Sequence, residues 1–346
     1  MKVTFKSLAE TLGRNTNIAI LEEDYGNVIV SEYGARIIGV FYSDSPNLLW
    51  VNPDLENVLK TRGWNIGGAR VWISPERNFF YMKPASFEEW FCPEGLDPGN
   101  YRFIAEDQRM VSLECYFKTY DFVNKGWLTG VIRRDIGVDK GKRGILKINV
   151  RESLLTDNFT GTLVNLWALI QVPPGAGKPG TVLIPVKKGT QPVHYFGKIP
   201  EDRLRVSENH VSFRIDGLKV TKLGIRPEDL PREGEASIIY VREDGEGLWN
   251  IICMKSKHLP RSQKECLDVA KADPRGPKGA VQSYNSGPEG SQLKFGEIEL
   301  HFLPATRIKE GMISTVVYTI EAFRGSFNEV FEMLVREYRI EEPFLF

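Results

Sequence analysis

The sequence predicts an all-β protein, a large antiparallel sandwich or barrel with a short helix near its C-terminus. Three observations carry the prediction. Short apolar runs recur along most of the chain with Gly, Pro, Asp and Asn between them, the pattern of strands joined by turns. Helical spacing of apolar residues is confined to two places, and no alternation of strands with long helices points to a parallel sheet. No internal repeat, low-complexity tract or linker divides the 346 residues. That length could hold two ordinary domains, but large β folds often fill it as one, so one β domain over residues 1–346 is expected.

Residues 7–12 suit a short amphipathic helix. Strands follow at 17–22, at 27–30 behind the Tyr25-Gly26 turn, at 35–40 and at 48–51, forming an antiparallel meander. Further runs lie at 111–118, 144–150, 163–172, 182–186, 210–215, 237–241, 249–254, 280–284, 297–302 and 313–322. Over 326–337, Phe327, Val330, Phe331, Leu334 and Val335 fall at helical spacing behind Ser326, a residue type that caps helix N-termini.

The stretch Gly67-Gly68-Ala69-Arg70-Val71-Trp72-Ile73-Ser74-Pro75-Glu76 carries the most chemistry. As a strand it sends Arg70, Trp72 and Ser74 to one side and Val71 and Ile73 to the other. The glycines permit a turn or a close approach, and Pro75 ends the ladder by removing a donor. An indole beside a guanidinium suits a sugar, the ring covering C–H faces and the cation binding hydroxyls. The same pair equally fits a core anchor with a satisfied polar partner.

Composition narrows the ligand. Lys plus Arg total 45 and Asp plus Glu total 45, giving zero net charge; no basic field calls for nucleic acid or an anionic membrane. A neutral or weakly charged small molecule fits better. Cys92, Cys115, Cys253 and Cys266 are widely spaced with no CxxC pair, so buried thiols in a reducing compartment are expected. There is no run of about 18 apolar residues and no apolar leader core, which predicts a cytoplasmic protein. His194, His210, His258 and His301 show no metal-ligand spacing, and no metal or cofactor is indicated. The loop at 173–180 lacks the first glycine and the Ser/Thr of a phosphate loop, and is expected to close a hairpin. No Gly-x-Ser-x-Gly elbow occurs.

Along 297–302 the alternation is strict: Glu297, Glu299 and His301 share one face and Ile298, Leu300 and Phe302 the other. Two carboxylates and an imidazole on one face can transfer protons; a solvated outer face gives the same pattern. Trp167 sits in the long apolar strand 163–172, taken alone a core position.

Together these pieces resemble the galactose mutarotase-like superfamily, the β-supersandwich of the aldose 1-epimerases. The resemblance is carried by Gly34-Ala35-Arg36-Ile37-Ile38, Asn47-Leu48-Leu49-Trp50-Val51-Asn52-Pro53, the Gly67 to Glu76 stretch and Trp167-Ala168-Leu169-Ile170-Gln171-Val172-Pro173. Late in the chain it continues through Gln282-Ser283-Tyr284-Asn285, Glu297-Ile298-Glu299, Pro304 and Lys309-Glu310-Gly311. It implies a sheet face that binds a sugar. Aldose 1-epimerases use a histidine acid and a glutamate base, whereas the matching places here read Asn165-Leu166-Trp167 and Gln282. Glutamine cannot abstract a proton, so Glu297, Glu299, His194 or His301 would have to take over.

The resemblance thus implies a carbohydrate-binding protein, with Arg70, Trp72, Glu76, Trp167, Gln282 and Tyr284 as binding residues. Either Trp72 or Trp167 would stack on the ring. If it is an enzyme, it is an epimerase acting at an anomeric carbon, with Glu297 or Glu299 as base and His301 or Arg70 assisting. The alternative is a non-catalytic accessory protein of sugar metabolism on the same scaffold.

Overall fold

The computed structural model describes residues 3–157, 161–175, 177–231, 233–288 and 293–346. Nine strands form the sheet that carries the site. In chain order they are β1 (Ile18–Glu23), β2 (Gly26–Ser31), β3 (Arg36–Tyr42), β4 (Ala69–Ser74), β5 (Asn165–Val172), β6 (Val193–His194), β7 (Thr221–Ile225), β8 (Val281–Asn285) and β9 (Gly296–Pro304). Their spatial order is β1-β2-β3-β4-β5-β9-β8-β7-β6, and every neighbouring pair is antiparallel. The meander β1 to β4 therefore fills one half, while the later strands return in reverse order to fill the other.

A second, eleven-stranded sheet contains the long strands Met110–Asp121, Gly126–Lys140, Leu146–Thr156 and Gly311–Gly325. The core lies between the two sheets. Val71 and Ile73 of β4 and Ile298, Leu300 and Phe302 of β9 all join it, and Phe302 packs 5.5 Å, ring to ring, from Tyr318 of the opposing sheet. One polar tie crosses this interior. Arg134 donates from Nε to both carboxylate oxygens of Glu152 at 3.0 and 3.1 Å and from Nη1 to the Ala35 carbonyl, while the Tyr318 hydroxyl donates to Glu152 at 2.9 Å. Full burial of both charges is tolerable because each is paired and hydrogen-bonded.

Helix α1 (Phe5–Gly13) starts at a Thr4/Ser7 capping box and buries Leu8 and Leu12. Two short helices, α2 (Leu55–Lys60) and α3 (Glu76–Phe79), lie in connections. Helix α4 (Phe327–Arg336) begins, as expected, at Ser326, whose hydroxyl and Glu329 form a capping box. Val330, Met333 and Leu334 are its buried residues, packed in one cluster with Ile239, Ile251 and Cys253 of the eleven-stranded sheet. Phe327 and Val335, placed on the apolar stripe from sequence, are instead exposed.

Two further expectations need correction. Residues 48–51 make no strand, only a bridge from Val51 to Gly67. The Asn47 side chain intervenes: its Oδ1 accepts from the Val40 and Leu49 amides and its Nδ2 donates to the Ile38 carbonyl. The 173–180 loop closes no hairpin, because β5 pairs with β4 and β9 while Gly180–Pro185 belongs to the other sheet; Ala176 of this loop lies outside the described residues. Three of the cysteines are buried and Cys92 is half-buried. Among the described residues, no helix is long and apolar enough to cross a membrane.

Candidate functional site

Pairing register assembles the site from five strands. Residues opposite one another in adjacent antiparallel strands project to the same face. Trp72 of β4 faces Trp167 of β5, which faces His301 of β9. Two same-face positions along, past Glu299, Glu297 of β9 faces Tyr284 of β8, which faces Lys222 of β7. The polar faces foreseen for β4 and β9 are thus one face of one sheet, opposite to the face of Val71, Ile73, Ile298, Leu300 and Phe302. Glu297, Glu299 and His301 are 8%, 0% and 2% exposed, so this is no solvated outer surface.

The start of β4 explains the glycine pair. Gly67 and Gly68 have φ of +104° and +74°. A Cβ on either would lie 2.3 Å from the Trp50 carbonyl oxygen or 2.4 Å from that of Ile37. Only glycine lets the chain pass here and deliver Arg70 and Trp72.

Above this face lies a cavity of about 380 Å³. Arg70, Trp72, Glu76, Trp167, Tyr284 and Glu297 line it, as do Trp64, Asn65, Tyr81, Trp90, Phe196, Lys222 and Phe295. Two buried ion pairs hold its floor. Arg70 donates from Nη2 to Glu297 Oε1 at 2.6 Å, and Lys222 Nζ lies 3.1 Å from Glu299 Oε2. The Arg70 guanidinium is 4.1 Å from the Trp72 ring centre and 5.4 Å from that of Trp64. Its Nε and Nη1 are buried with no hydrogen-bond partner among the described residues, which leaves two nitrogens to donate to a ligand.

Neither tryptophan predicted to stack on a sugar offers a free face. Trp72 has Arg70 over its ring and donates from Nε1 to Asp97 at 2.8 Å. Trp167 stacks on His301 at 4.8 Å, lies under Lys222 at 4.9 Å and donates to Glu299 at 3.1 Å. Both are supports of the wall. The most accessible rings in the lining belong to Trp90 and Phe196, at 39% and 38% exposure.

Electrostatics divides the carboxylates by role. Burial would raise the Glu299 carboxyl, but Lys222 and then His301 outweigh it and hold it below its ordinary value. Glu299 and His301, whose Nε2 lies 3.5 Å from Glu299 Oε2, stand behind Trp167 and Lys222 and are not in the lining. Burial also acts to lower the Lys222 ammonium, but Glu299, Glu76 and Asp268 overcome it and raise the group. Glu76 behaves oppositely to Glu299. Its carboxyl is pushed up to about 7, by burial first, with Asp268 and Glu299 adding to it and Lys222 and the Trp90 hydrogen bond opposing. Trp90 Nε1 donates to Glu76 Oε1 at 2.9 Å, and the Glu76 amide donates to Asp268 at 3.3 Å. A carboxyl poised near neutrality can give or take a proton at little cost.

Gln282 lies behind the wall. Its Nε2 donates to the Tyr195 hydroxyl at 2.7 Å, the Gly279 carbonyl at 3.1 Å and Asp268 at 3.2 Å, so it fixes Asp268 without lining the cavity. His194 is also outside the lining; its Nδ1 accepts from the Ile199 amide at 3.2 Å. Among the described residues, no group of three or more His, Cys, Asp or Glu is placed to hold a metal.

Lys222 is the main residue that sequence reasoning missed. Its signal was the alternation of Thr221, Leu223 and Ile225 against Lys222 and Gly224 in a five-residue strand, too polar to stand out. Trp64, Trp90 and Phe196 lie outside every predicted strand.

Residues 148–335, more than half of the chain, match the model of a family described as a family of unknown function (DUF6786). No curated protein matches the sequence. Among solved structures, a putative aldose 1-epimerase from Escherichia coli K12 is 11% identical over 90% of this chain and 100% of its own, with a TM-score of 0.50. The Slr1438 protein from Synechocystis sp. PCC 6803 is 10% identical over 89% of this chain and 96% of its own, also at 0.50. At such identities the likeness shows the fold alone, a large antiparallel β-sandwich shared with the putative aldose 1-epimerase.

Proposed function

The chain belongs to the DUF6786 family, and from that premise, with the family's function unknown, we propose that it binds a carbohydrate in the cavity between Trp90 and Phe196. One observation carries this reading. The lining combines aromatic rings with the Arg70–Glu297 pair, the Lys222 ammonium and two unpartnered Arg70 nitrogens. A sugar presents apolar C–H faces and a rim of hydroxyls that both donate and accept, and such a wall answers both.

The raised carboxyl of Glu76 favours a second step, reaction at the anomeric carbon. Ring opening requires a base at the anomeric hydroxyl and an acid at the ring oxygen, and reclosure exchanges those roles. Glu76, rather than Glu297 or Glu299, is the group suited to the base, because the latter two are committed to Arg70 and Lys222. Lys222 would present its charge to the ligand's oxygens.

The test is a thermal-shift screen with free aldoses, uronic acids and glycosides, followed by anomer-exchange NMR on each hit. A bound sugar raises the melting temperature by mass action. Trp90→Ala is expected to weaken binding by about 2 kcal/mol, and Glu76→Gln to abolish any exchange. Binding without accelerated exchange would remove the enzymatic step and leave the binding role. No stabilisation by any sugar would sink the proposal.

A further inference from the structure

We propose that the cavity is built for two linked rings, a disaccharide or a glycoside with a cyclic aglycone, rather than for one free monosaccharide. This rests on the carbohydrate reading and concerns what kind of carbohydrate enters.

The cavity has an accessible aromatic at each of two ends. Trp90, on the small hairpin of Tyr81–Lys83 and Glu88–Trp90, sits among Trp64, Trp72 and Phe80, with ring centres 5.4, 6.5 and 6.3 Å away. That group stands over β4. Phe196, just beyond β6, meets Tyr284 of β8 at 6.2 Å, and Tyr284 meets Phe295 at 6.0 Å. Strands β5 and β9 lie between β4 and β8, so Trp72 and Tyr284, against which the two exposed rings pack, are on strands three spacings apart, about 14 Å. A six-membered ring made of bonds of about 1.5 Å measures about 3 Å between opposite atoms. One pyranose stacked at either end leaves the other uncovered.

Exposure and charge agree with this division. Trp90 and Phe196 keep 39% and 38% of their surface accessible, more than any other aromatic in the lining, and each stands on an element outside the interior of the sheet. The charged groups are on the strands between and beside them: Glu297 on β9, Arg70 on β4 and Lys222 on β7, with Glu76 at the β4 exit. A ligand with two apolar faces and a polar junction covers both platforms and sets its linking oxygen over the ion pairs. The volume of about 380 Å³ is also within the roughly 300–1,000 Å³ that encloses drug-sized ligands.

The experiment is isothermal titration of the full chain with glucose, galactose and mannose, with the disaccharides cellobiose, lactose, maltose and trehalose, and with the p-nitrophenyl glycosides of the same sugars. At least one two-ring compound is expected to bind 30-fold or more tighter than its component monosaccharide. In Phe196→Ala that ratio should fall below about five-fold; the residue is on an exposed loop, and an unchanged melting temperature would confirm that the variant folds. Equal affinity for one- and two-ring compounds, or a ratio unaffected by Phe196→Ala, overturns the two-ring inference while leaving the carbohydrate reading in place. Binding of no saccharide of either kind overturns the carbohydrate reading itself, and this inference with it.

Discussion

Glu76 holds its proton more tightly in the folded chain than in the unfolded one, because folding places it in a half-buried position near Asp268 and Glu299. Its carboxyl ionises near 7 when folded and near the ordinary glutamate value of 4.5 when unfolded. Between those values the folded state binds more protons, so stability from this group is fully present below pH 4.5 and is lost as pH rises to 7. Glu76→Gln cannot ionise. Its stability relative to the parent should therefore climb between pH 4.5 and 7 and level off above, by on the order of 2 kcal/mol after allowing for partial solvent access. Melting curves from pH 4 to 8.5 check this, and parallel curves would mean that Glu76 ionises normally. None of this was legible in the sequence, where Glu76 stood only as a binding residue. Asp268 comes 192 positions later, and nothing local announces it. Arg70 and Glu297 were legible, because each lies on a strand whose alternation is strict.

At the level of elements, the turn into β4 has the least tolerance. Gly68→Ala would keep φ near +74° and press a methyl against the Ile37 carbonyl. A loss of about 3 kcal/mol or more is expected in urea unfolding, and a loss below 1 kcal/mol would mean that β3 and β4 shift apart easily. The glycine pair itself was readable as a close approach, whereas its neighbour in that approach was not. Residues 48–51 have the apolar content of a strand, but the Asn47 amide takes the hydrogen bonds a ladder would use, and short polar residues compete with backbone pairing in this way. The opposite failure hid β7, whose polar Thr221 and Lys222 are buried by partners on β8 and β9. The displaced stripe of α4 has a similar origin: periodicity marked Phe327 and Val335, but the packing surface meets Val330, Met333 and Leu334.

For the molecule as a whole, one apolar cluster runs from Ala19 and Val71 through Trp167 to Ile320, drawing on both sheets, and the Arg134–Glu152–Tyr318 tie lies within it. We propose that the sheets unfold together as one unit. Far-UV circular dichroism and tryptophan emission should then report a single coincident transition; two separated transitions would mean that the sheets are independently stable. The alternating pattern of strands made the all-β class readable from end to end, but the return of the later strands beside the meander depends on pairings as distant as Asn165 with Ser74 and Ile170 with Ala69, which no local pattern encodes. The crowding of aromatics around the cavity also has an optical side. Four of the seven tryptophans, Trp64, Trp72, Trp90 and Trp167, line it, so the protein's intrinsic fluorescence is weighted toward one place. Trp90 is the most solvent-exposed of these four and is bonded to Glu76. Its emission should shift to the blue when a ligand covers the indole, making the chain an unlabelled spectroscopic sensor of its own occupancy.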